Sequence, residues 1–164
     1  MNLSLRRRGL RIRPLPSDIG PRAVADGHDA FGTPVEPFID PEGGAPVRCC
    51  LSNSRPGDRL ALISVAPEGS KGAYVERGPV FVHAEDCGGV ADDGAYPEEW
   101  RARDQIMRAY GTNGGILGGE LVAAGIDQEA AAERLLADPA VAFVQTRNVV
   151  FGCYMATITR EDAS

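Results

Sequence analysis

Turn-forming residues divide this chain into short segments, so long helices cannot run through it. The 164 residues include 20 glycines and 12 prolines, and both residue types interrupt regular structure. The segments between them are rich in branched and aromatic residues, which is typical of strands. We predict strands at 3–13, 59–65, 79–83, 105–110, 116–124, 141–147 and 151–159. Strands that follow one another through turns are expected to pair antiparallel.

One segment, 128–137, has the length and the end signals of an α-helix. Asp127 is suited to cap the first turn, and Ile126 can pack against Ala131 as a hydrophobic staple. Asp138 precedes Pro139, and a residue before proline is disfavoured in a helix. We therefore predict one firm helix.

The N-terminal part shows little periodicity. Prolines at 14, 16 and 21 interrupt regular structure, although Ser17 and Asp18 can cap a short helical turn. Residues 26–47 are rich in Gly, Pro and Asp, and we interpret them as a long irregular loop. The prediction is a single α+β domain over 1–164 with a mainly antiparallel sheet. Its N-terminal strand and loop span 1–46, and its core spans 47–159.

The charge is distributed unevenly. The net charge is −6, yet the first 13 residues carry five arginines and no acid. The remaining residues are therefore more acidic than the chain as a whole, which disfavours nucleic acid as a partner. The Arg-rich N-terminus could bind an anionic partner, but a solvated tail or edge is the commoner reason for such a run.

The sequence contains no recognisable targeting or membrane segment. No apolar run follows the arginines at 6–8, as a signal peptide would require. No stretch approaches the roughly 18 apolar residues of a membrane span. We predict a cytoplasmic protein without a membrane partner, in which the four cysteines stay mostly reduced.

The first candidate for chemistry is His83, at the end of the strand 79–83. A histidine titrates near neutral pH and can act as a general acid or base, although one that only fixes a strand end is as common. Cys49, Cys50 and Cys87 could join it as zinc ligands, but they lack the Cys-x-x-Cys spacing of structural sites. Cys50 and Cys87 are also candidate reactive thiols, which need a base or a cation nearby. Inert thiols are the commoner case, and we predict no metal ligands and no cofactor.

A second group of residues suits the recognition of an anion. Arg147 and Asn148 end a predicted strand, and a guanidinium group binds a carboxylate or phosphate through two parallel hydrogen bonds. Arg48 would add positive charge, while Tyr110 and Cys153 would line the same pocket. A loop salt bridge is the alternative role for Arg147.

Several separated segments carry a family resemblance, and their order and spacing are more specific than any one of them. They are RCCL at 48–51, PGD at 56–58, ERGPVFVHA at 76–84, RAY at 108–110, ADP at 137–139, RN at 147–148 and GC at 152–153. Over about 47–159 the chain resembles the bacterial domain-of-unknown-function family 1203.

Family members commonly have Cys-Arg-His-Cys-Leu at the first of these segments. This chain has Val47 in place of the first cysteine and Cys49 in place of the histidine. That departure weakens a zinc or disulfide role for these positions. The resemblance implies a small cytoplasmic bacterial α+β domain, and it brings no established activity.

Two functions of different classes fit these residues, and we favour the first. In it, the protein is a specialised-metabolism enzyme in which His83 is the acid or base. Its small anionic substrate would be held by five residues: Arg48, Tyr110, Arg147, Asn148 and Cys153. The alternative is a non-catalytic ligand-binding or protein-interaction domain, and a homodimer is compatible with either. Convergence of His83, Arg147 and Tyr110 on one cavity would favour the enzyme, and scattered positions would contradict it. A metal or thiol-redox protein is a third and weaker hypothesis.

Overall fold

The computed structural model describes residues 9–90 and 95–162, which are mostly β-structure. The strands of this part are β1 (Leu10–Arg13), β2 (Phe38–Asp40), β3 (Pro46–Val47), β4 (Ser52–Asn53), β5 (Asp58–Val65), β6 (Gly78–His83), β7 (Gln105–Tyr110), β8 (Ile116–Val122), β9 (Phe143–Asn148) and β10 (Tyr154–Arg160). Its α-helices are α1 (Ile19–Asp26) and α2 (Gln128–Leu136). Short 3-10 turns span Gly72–Tyr74 and Glu98–Trp100.

The strands form two five-stranded sheets. The first has the order β1-β10-β9-β7-β8 and is antiparallel throughout. The second has the order β2-β5-β6-β3-β4. Its pairs are antiparallel except β3 and β6, which are parallel and meet at Val47 and Phe81.

Each sheet has its own apolar core. In the first, Met107, Val144 and Met155 pack with Ala131 and Leu136 of α2. In the second, residues of β5 and β6 such as Leu60 and Val82 pack with Ala23 of α1. Burial of these side chains is the main stabilising contribution to both layers.

Strand β10 brings the two cores into contact. Its buried residues Met155, Ala156 and Ile158 belong to the first core, but Tyr154 packs into the second. The buried Arg48 reinforces this contact, because its Nε donates a hydrogen bond to the carbonyl oxygen of Tyr154 at 2.8 Å. Six of the seven residues of β10 are buried, so its sequence lacks the alternation of a half-exposed strand.

The predicted fold class, an α+β domain with one main sheet and one firm helix, is wrong. The described residues are predominantly β, with two sheets and two helices. Strand periodicity identified segments that form strands, but it carries no information on which strands pair. The two sheets arise because β5 and β6 pair with the short N-terminal strands and not with β7 to β10.

The prediction for residues 14–21 allowed only a short helical turn after Ser17 and Asp18, whereas the structure has the eight-residue helix α1 with Asp18 at its N-cap. Pro21 lies in the first turn of this helix, where the backbone N–H groups have no partner within the helix, so proline is tolerated. The helix ends at Gly27, whose φ of 76° is left-handed, a conformation that glycine adopts without steric cost.

The long irregular loop predicted for 26–47 is more ordered than expected. Asp29 fixes its first half, because its buried carboxylate accepts backbone N–H groups from Phe31, Thr33 and Ser64. The second half contains β2 and β3. Side-chain hydrogen bonds to the backbone replace a periodic apolar pattern here, and periodicity alone does not detect them.

Most later elements agree with prediction. The helix predicted at 128–137 is α2, capped by Asp127, which accepts the Ala130 N–H. The strands at 59–65, 79–83 and 105–110 correspond to β5, β6 and β7. Of the strand predicted at 3–13, β1 covers the last four residues, and the arginines at 6–8 lie outside the described residues. No helix in the described part is long and apolar enough to cross a membrane.

Candidate metal centre

Four potential metal ligands converge at the end of β6. They are Cys49, Cys50, His83 and Cys87, and their ligand atoms all lie within 4.8 Å of one another. Cys49 is buried, and the other three residues are partly exposed. All four cysteines of the chain are free thiols. The centre is therefore preformed and open to solvent on one side.

The second sheet explains why residues far apart in sequence meet here. The parallel pairing of β3 with β6 continues past Val47, since the Arg48 N–H donates to the Phe81 carbonyl oxygen at 3.0 Å. The turn that follows therefore places Cys49 and Cys50 beside the end of β6, where His83 lies. Cys87 returns to the same place through the short loop after β6.

The distances between these atoms are short. His83 Nδ1 is 3.7 Å from Cys49 Sγ and 3.6 Å from Cys50 Sγ. The sulfurs of Cys87 and Cys49 are 3.3 Å apart. In addition, the backbone N–H of His83 donates to Cys49 Sγ at 3.3 Å. The four side chains thus form one compact cluster.

The second ring nitrogen of His83 faces a carboxylate. Nε2 lies 3.3 Å from Oδ2 of Asp58, and Asp58 is held in turn by the Arg55 N–H at 2.8 Å. A hydrogen on Nε2 leaves Nδ1, the nitrogen that faces the sulfurs, with a free lone pair. The pKa of Asp58 lies below its usual value, chiefly because of the Arg55 hydrogen bond and with a contribution from His83.

The thiols differ in their acidity. A hydrogen bond from Cys49, with smaller contributions from Ser52 and His83, lowers the pKa of Cys50 to about 5 against the opposing effect of burial. The same hydrogen bond, together with burial, raises the pKa of Cys49. Cys50 is therefore more readily ionised than Cys49, and a thiolate is the form that binds metals and attacks electrophiles.

The residues predicted to bind an anion lie elsewhere. Arg147 and Cys153 line a cavity of about 220 Å³ together with Gly78 and Pro79, at the beginning of β6. His83 is five residues further along this strand, about 16 Å away at about 3.3 Å per residue.

Tyr110 is linked to Arg147 through two intermediate residues, Arg108 and Glu76. Its hydroxyl lies 3.3 Å from Arg108 Nη1, and Arg108 and Arg147 both pair with the carboxylate of Glu76 at 3.0 Å. The ring of Tyr110 stacks on Phe143 with a centroid distance of 5.0 Å. The structure thus brings Tyr110, Arg147 and Cys153 together, and it separates them from His83.

The last two predicted binding residues, Arg48 and Asn148, form hydrogen bonds with backbone groups. The side chain of Arg48 donates hydrogen bonds to the carbonyl oxygens of Tyr154 and Pro46. Burial lowers the pKa of Arg48 to about 10. The backbone N–H of Asn148 donates to the Cys153 carbonyl oxygen at 2.9 Å, which closes the β9–β10 turn. Neither residue lines the cavity beside Arg147.

A comparison with protein-family models shows which family the chain belongs to. The model described as "Protein of unknown function (DUF1203)" matches residues 44–160. The chain belongs to the DUF1203 family. No curated protein and no solved structure matches it. In this DUF1203 protein the matched range contains both the Cys/His centre and the Arg147 cavity.

Sequence analysis of this DUF1203 protein missed three residues that the structure places in these clusters, namely Asp58, Glu76 and Arg108. A signal for Asp58 existed, because antiparallel pairing of the strands 59–65 and 79–83 brings the beginning of one to the end of the other. The pairing partner of His83 is Leu60, and Asp58 is two residues before it. Glu76 is in a loop, and no periodic pattern predicts its position.

Proposed function

We propose that this protein binds a zinc ion through Cys49, Cys50, His83 and Cys87. The observation that carries the proposal is the mutual approach of the four ligand atoms, all within 4.8 Å. Spacing along the chain argued against such a site, but ligand spacing rules describe short loops that fold around an ion. Here two strands and two turns bring the ligands together.

The distances support a tetrahedral ion. Bonds of about 2.3 Å to sulfur and about 2.0–2.1 Å to nitrogen would place neighbouring sulfurs about 3.8 Å apart and sulfur and nitrogen about 3.6 Å apart. The two sulfur–nitrogen distances, 3.7 and 3.6 Å, match these values. The sulfurs of Cys87 and Cys49 are 3.3 Å apart and would have to separate by about 0.5 Å to bind the ion. Three thiolates and one imidazole form a soft ligand set, which favours zinc over magnesium or calcium.

The surroundings of His83 support the same proposal. A histidine ligand usually donates its second ring N–H to a carboxylate, which fixes the ring and its tautomer. Asp58 stands in that position, 3.3 Å from Nε2. His83 Nδ1 is then free to bind the ion.

We propose a structural role for the zinc ion. Four protein ligands complete a tetrahedron and leave no position for substrate, which is the arrangement of structural sites. The ion would join the turn after β3, the end of β6 and the loop that carries Cys87. We propose the cytoplasm as the compartment, because reduced thiols persist there.

The proposal can be tested on the full chain purified without chelators. We expect one zinc per chain by elemental analysis. We also expect cobalt substitution to give the d–d and thiolate charge-transfer bands of a tetrahedral sulfur-rich site. Cys87→Ser should lose both, whereas Cys153→Ser should keep both, since Cys153 is the cysteine outside the centre. A wild-type protein that takes up neither metal during titration would refute the proposal.

A second candidate is an enzyme that uses the same residues without a metal. The observation that favours it is the series Cys50, His83 and Asp58, with distances of 3.6 Å and 3.3 Å between neighbours. A base beside a thiol, oriented by a carboxylate, is the arrangement of thiol nucleophiles. We infer a small anionic metabolite as its substrate class, and the anion would bind at the His83 end of β6, because the Arg147 cavity is too distant.

The two candidates predict different results for a thiol-specific reagent. A metal-free Cys50 thiolate should be alkylated by iodoacetamide rapidly, and His83→Ala should slow that reaction. A zinc-bound Cys50 should be protected until the metal is removed. Protection that tracks the zinc content supports the first candidate, and rapid alkylation of metal-free protein as isolated supports the second.

A further inference from the structure

The guanidinium groups of Arg108 and Arg147 share a single carboxylate. Arg108 lies on β7 and Arg147 on β9, and the register of these strands places both on one face of the first sheet. Oε1 of Glu76 lies 3.0 Å from Nη1 of Arg108, and Oε2 lies 3.0 Å from Nη1 of Arg147. Two arginines that each bind one oxygen are a geometry suited to any carboxylate, including one from a ligand.

Arg147 is fixed in place without Glu76. Its side chain is only 7% exposed. Nη1 also donates to the Gly152 carbonyl oxygen at 3.0 Å, and Nη2 donates to Gln145 Oε1 at 2.8 Å. Nε has no acceptor among the described residues. The guanidinium is therefore held by the β9–β10 hairpin, and it retains hydrogen-bonding capacity.

Glu76 is held much less firmly. Its side chain is 48% exposed, and it lies in the segment 66–77 that connects β5 to β6. Its side chain pairs with Arg108 and Arg147, which lie on neighbouring strands of the first sheet. Solvent screens this half-exposed carboxylate and weakens its pairing with the arginines, so a competing anion can replace it.

A cavity adjoins this ion pair. Its volume is about 220 Å³, the share of about seven water molecules. Besides Glu76 and Arg147, its lining includes the apolar side chains Val65, Pro67 and Phe151. A carboxylate with a small apolar body fits this combination, because its charged end meets the arginines while its body covers apolar surface.

We propose that Arg108 and Arg147 form a binding site for a small carboxylate with an apolar body, and that Glu76 occupies the site in competition with that ligand. Binding displaces the Glu76 side chain and places the ligand body in the adjoining cavity. The proposal shares no residue with the zinc centre, so either one can fail without the other.

Benzoate is a suitable probe, since it combines a carboxylate with a compact apolar ring. We would follow the arginine Nε–H resonances of ¹⁵N-labelled protein during a benzoate titration and determine the affinity by calorimetry. The Arg147 resonance should shift in the wild type. In Glu76→Gln the affinity should rise about tenfold, the gain expected if Glu76 leaves the site open about one tenth of the time.

The matched control is Glu120→Gln, which makes the same charge change at a different ion pair, that of Glu120 with Arg134. It should leave the benzoate affinity at the wild-type value. Arg147→Met should abolish binding. If Glu76→Gln does not fold, Glu76→Asp provides the test, because the shorter side chain reaches only one arginine and a smaller gain is expected.

Two results would overturn the proposal. The first is an Arg147 resonance that benzoate shifts in neither the wild type nor the Glu76 variant. The second is an equal rise in affinity for the Glu76 and Glu120 variants, which would indicate a general charge effect and no site.

Discussion

The two ends of strand β6 carry polar clusters of opposite character. At the His83 end, three thiols and an imidazole stand close together, with all four ligand atoms within 4.8 Å of one another. At the Gly78 end, Arg147 and Arg108 already share the carboxylate of Glu76. The first cluster is suited to an added cation, whereas the second already holds a carboxylate and must release it to bind another.

The two clusters also differ in how their charges are stabilised. The close packing of the thiols lowers the pKa of Cys50 to about 5 and raises that of Cys49, so the cluster accommodates one negative charge easily and further charge poorly. A divalent cation removes that restriction. The buried guanidinium of Arg147 instead relies on fixed carbonyl oxygens and one mobile carboxylate, a compensation that buried charges require.

The largest expected effect is the removal of metal from the His83 end. Stripping zinc with a strong chelator should lower the free energy of unfolding by about 4 kcal/mol relative to protein in zinc at about a thousand times the dissociation constant. The reason is that an ion held by the proposed zinc centre would bind the folded state and not the unfolded chain. Urea denaturation of the two samples checks this, and superimposable curves would rule out a zinc ion that stabilises the fold.

A substitution in α1 should disturb the same end of β6. A Cβ atom at Gly20 would lie 1.8 Å from the carbonyl oxygen of His83, so Gly20→Ala must push the helix away from the strand. Overpacking of this kind costs about 2–3 kcal/mol, and zinc affinity should fall as well. Gly118→Ala is the control, since a Cβ there meets nothing within 4 Å. Equal stability of the two variants would contradict this packing.

Asp58→Asn tests the support of the histidine. The asparagine amide oxygen is a weaker acceptor than the carboxylate for the Nε2 hydrogen of His83. Loss of such a partner typically weakens metal binding about 10–100-fold. Competition with a chromophoric chelator measures the affinity. The benzoate affinity at the Gly78 end should not change. An unchanged zinc affinity would mean that Asp58 does not orient His83 toward an ion.

The comparison of the two ends also explains which parts of the structure the sequence could predict. β5, β6, β7 and α2 were predictable because each has its signal within its own residues: a run of branched side chains or a capped apolar stripe. The division into two sheets was not, because it depends on which strands pair. The full length of α1 was not predictable, because proline usually indicates a break in a helix. Pro21 is compatible with α1 only because the helix begins two residues before it, at Ile19.

The sites follow the same rule. His83 was identified from its place at a strand end, and Arg147 from its place at another. Their separation followed from the pairing of β6 with β3 and of β9 with β7, which no local pattern contains. The sequence gives the metal cluster little weight, because its cysteines lack the Cys-x-x-Cys spacing of structural sites. The cluster instead depends on contacts such as that of Cys49 with Cys87, which are 38 residues apart. Long-range contacts of this kind are specified by the whole fold.

The smallest expected effect belongs to Glu76→Gln, and it decides how the Gly78 end works. We expect the free energy of unfolding to fall by no more than about 1 kcal/mol, because Glu76 is half exposed and a screened pair contributes little. Gly152 and Gln145 continue to hold Arg147. Urea denaturation at moderate ionic strength, with Glu120→Gln alongside, provides the measurement.

A loss of about 3 kcal/mol or more would have the opposite meaning. It would indicate that Glu76 is the required counterion of a buried charge, since removing one partner of a buried pair costs about 3–5 kcal/mol. A carboxylate needed for folding could not leave to admit a ligand, and the competition model would fail. A small loss of stability together with a gain in benzoate affinity would instead show that the two ends of β6 work differently. The His83 end would gain stability from its metal ion, whereas the Gly78 end would exchange one carboxylate for another.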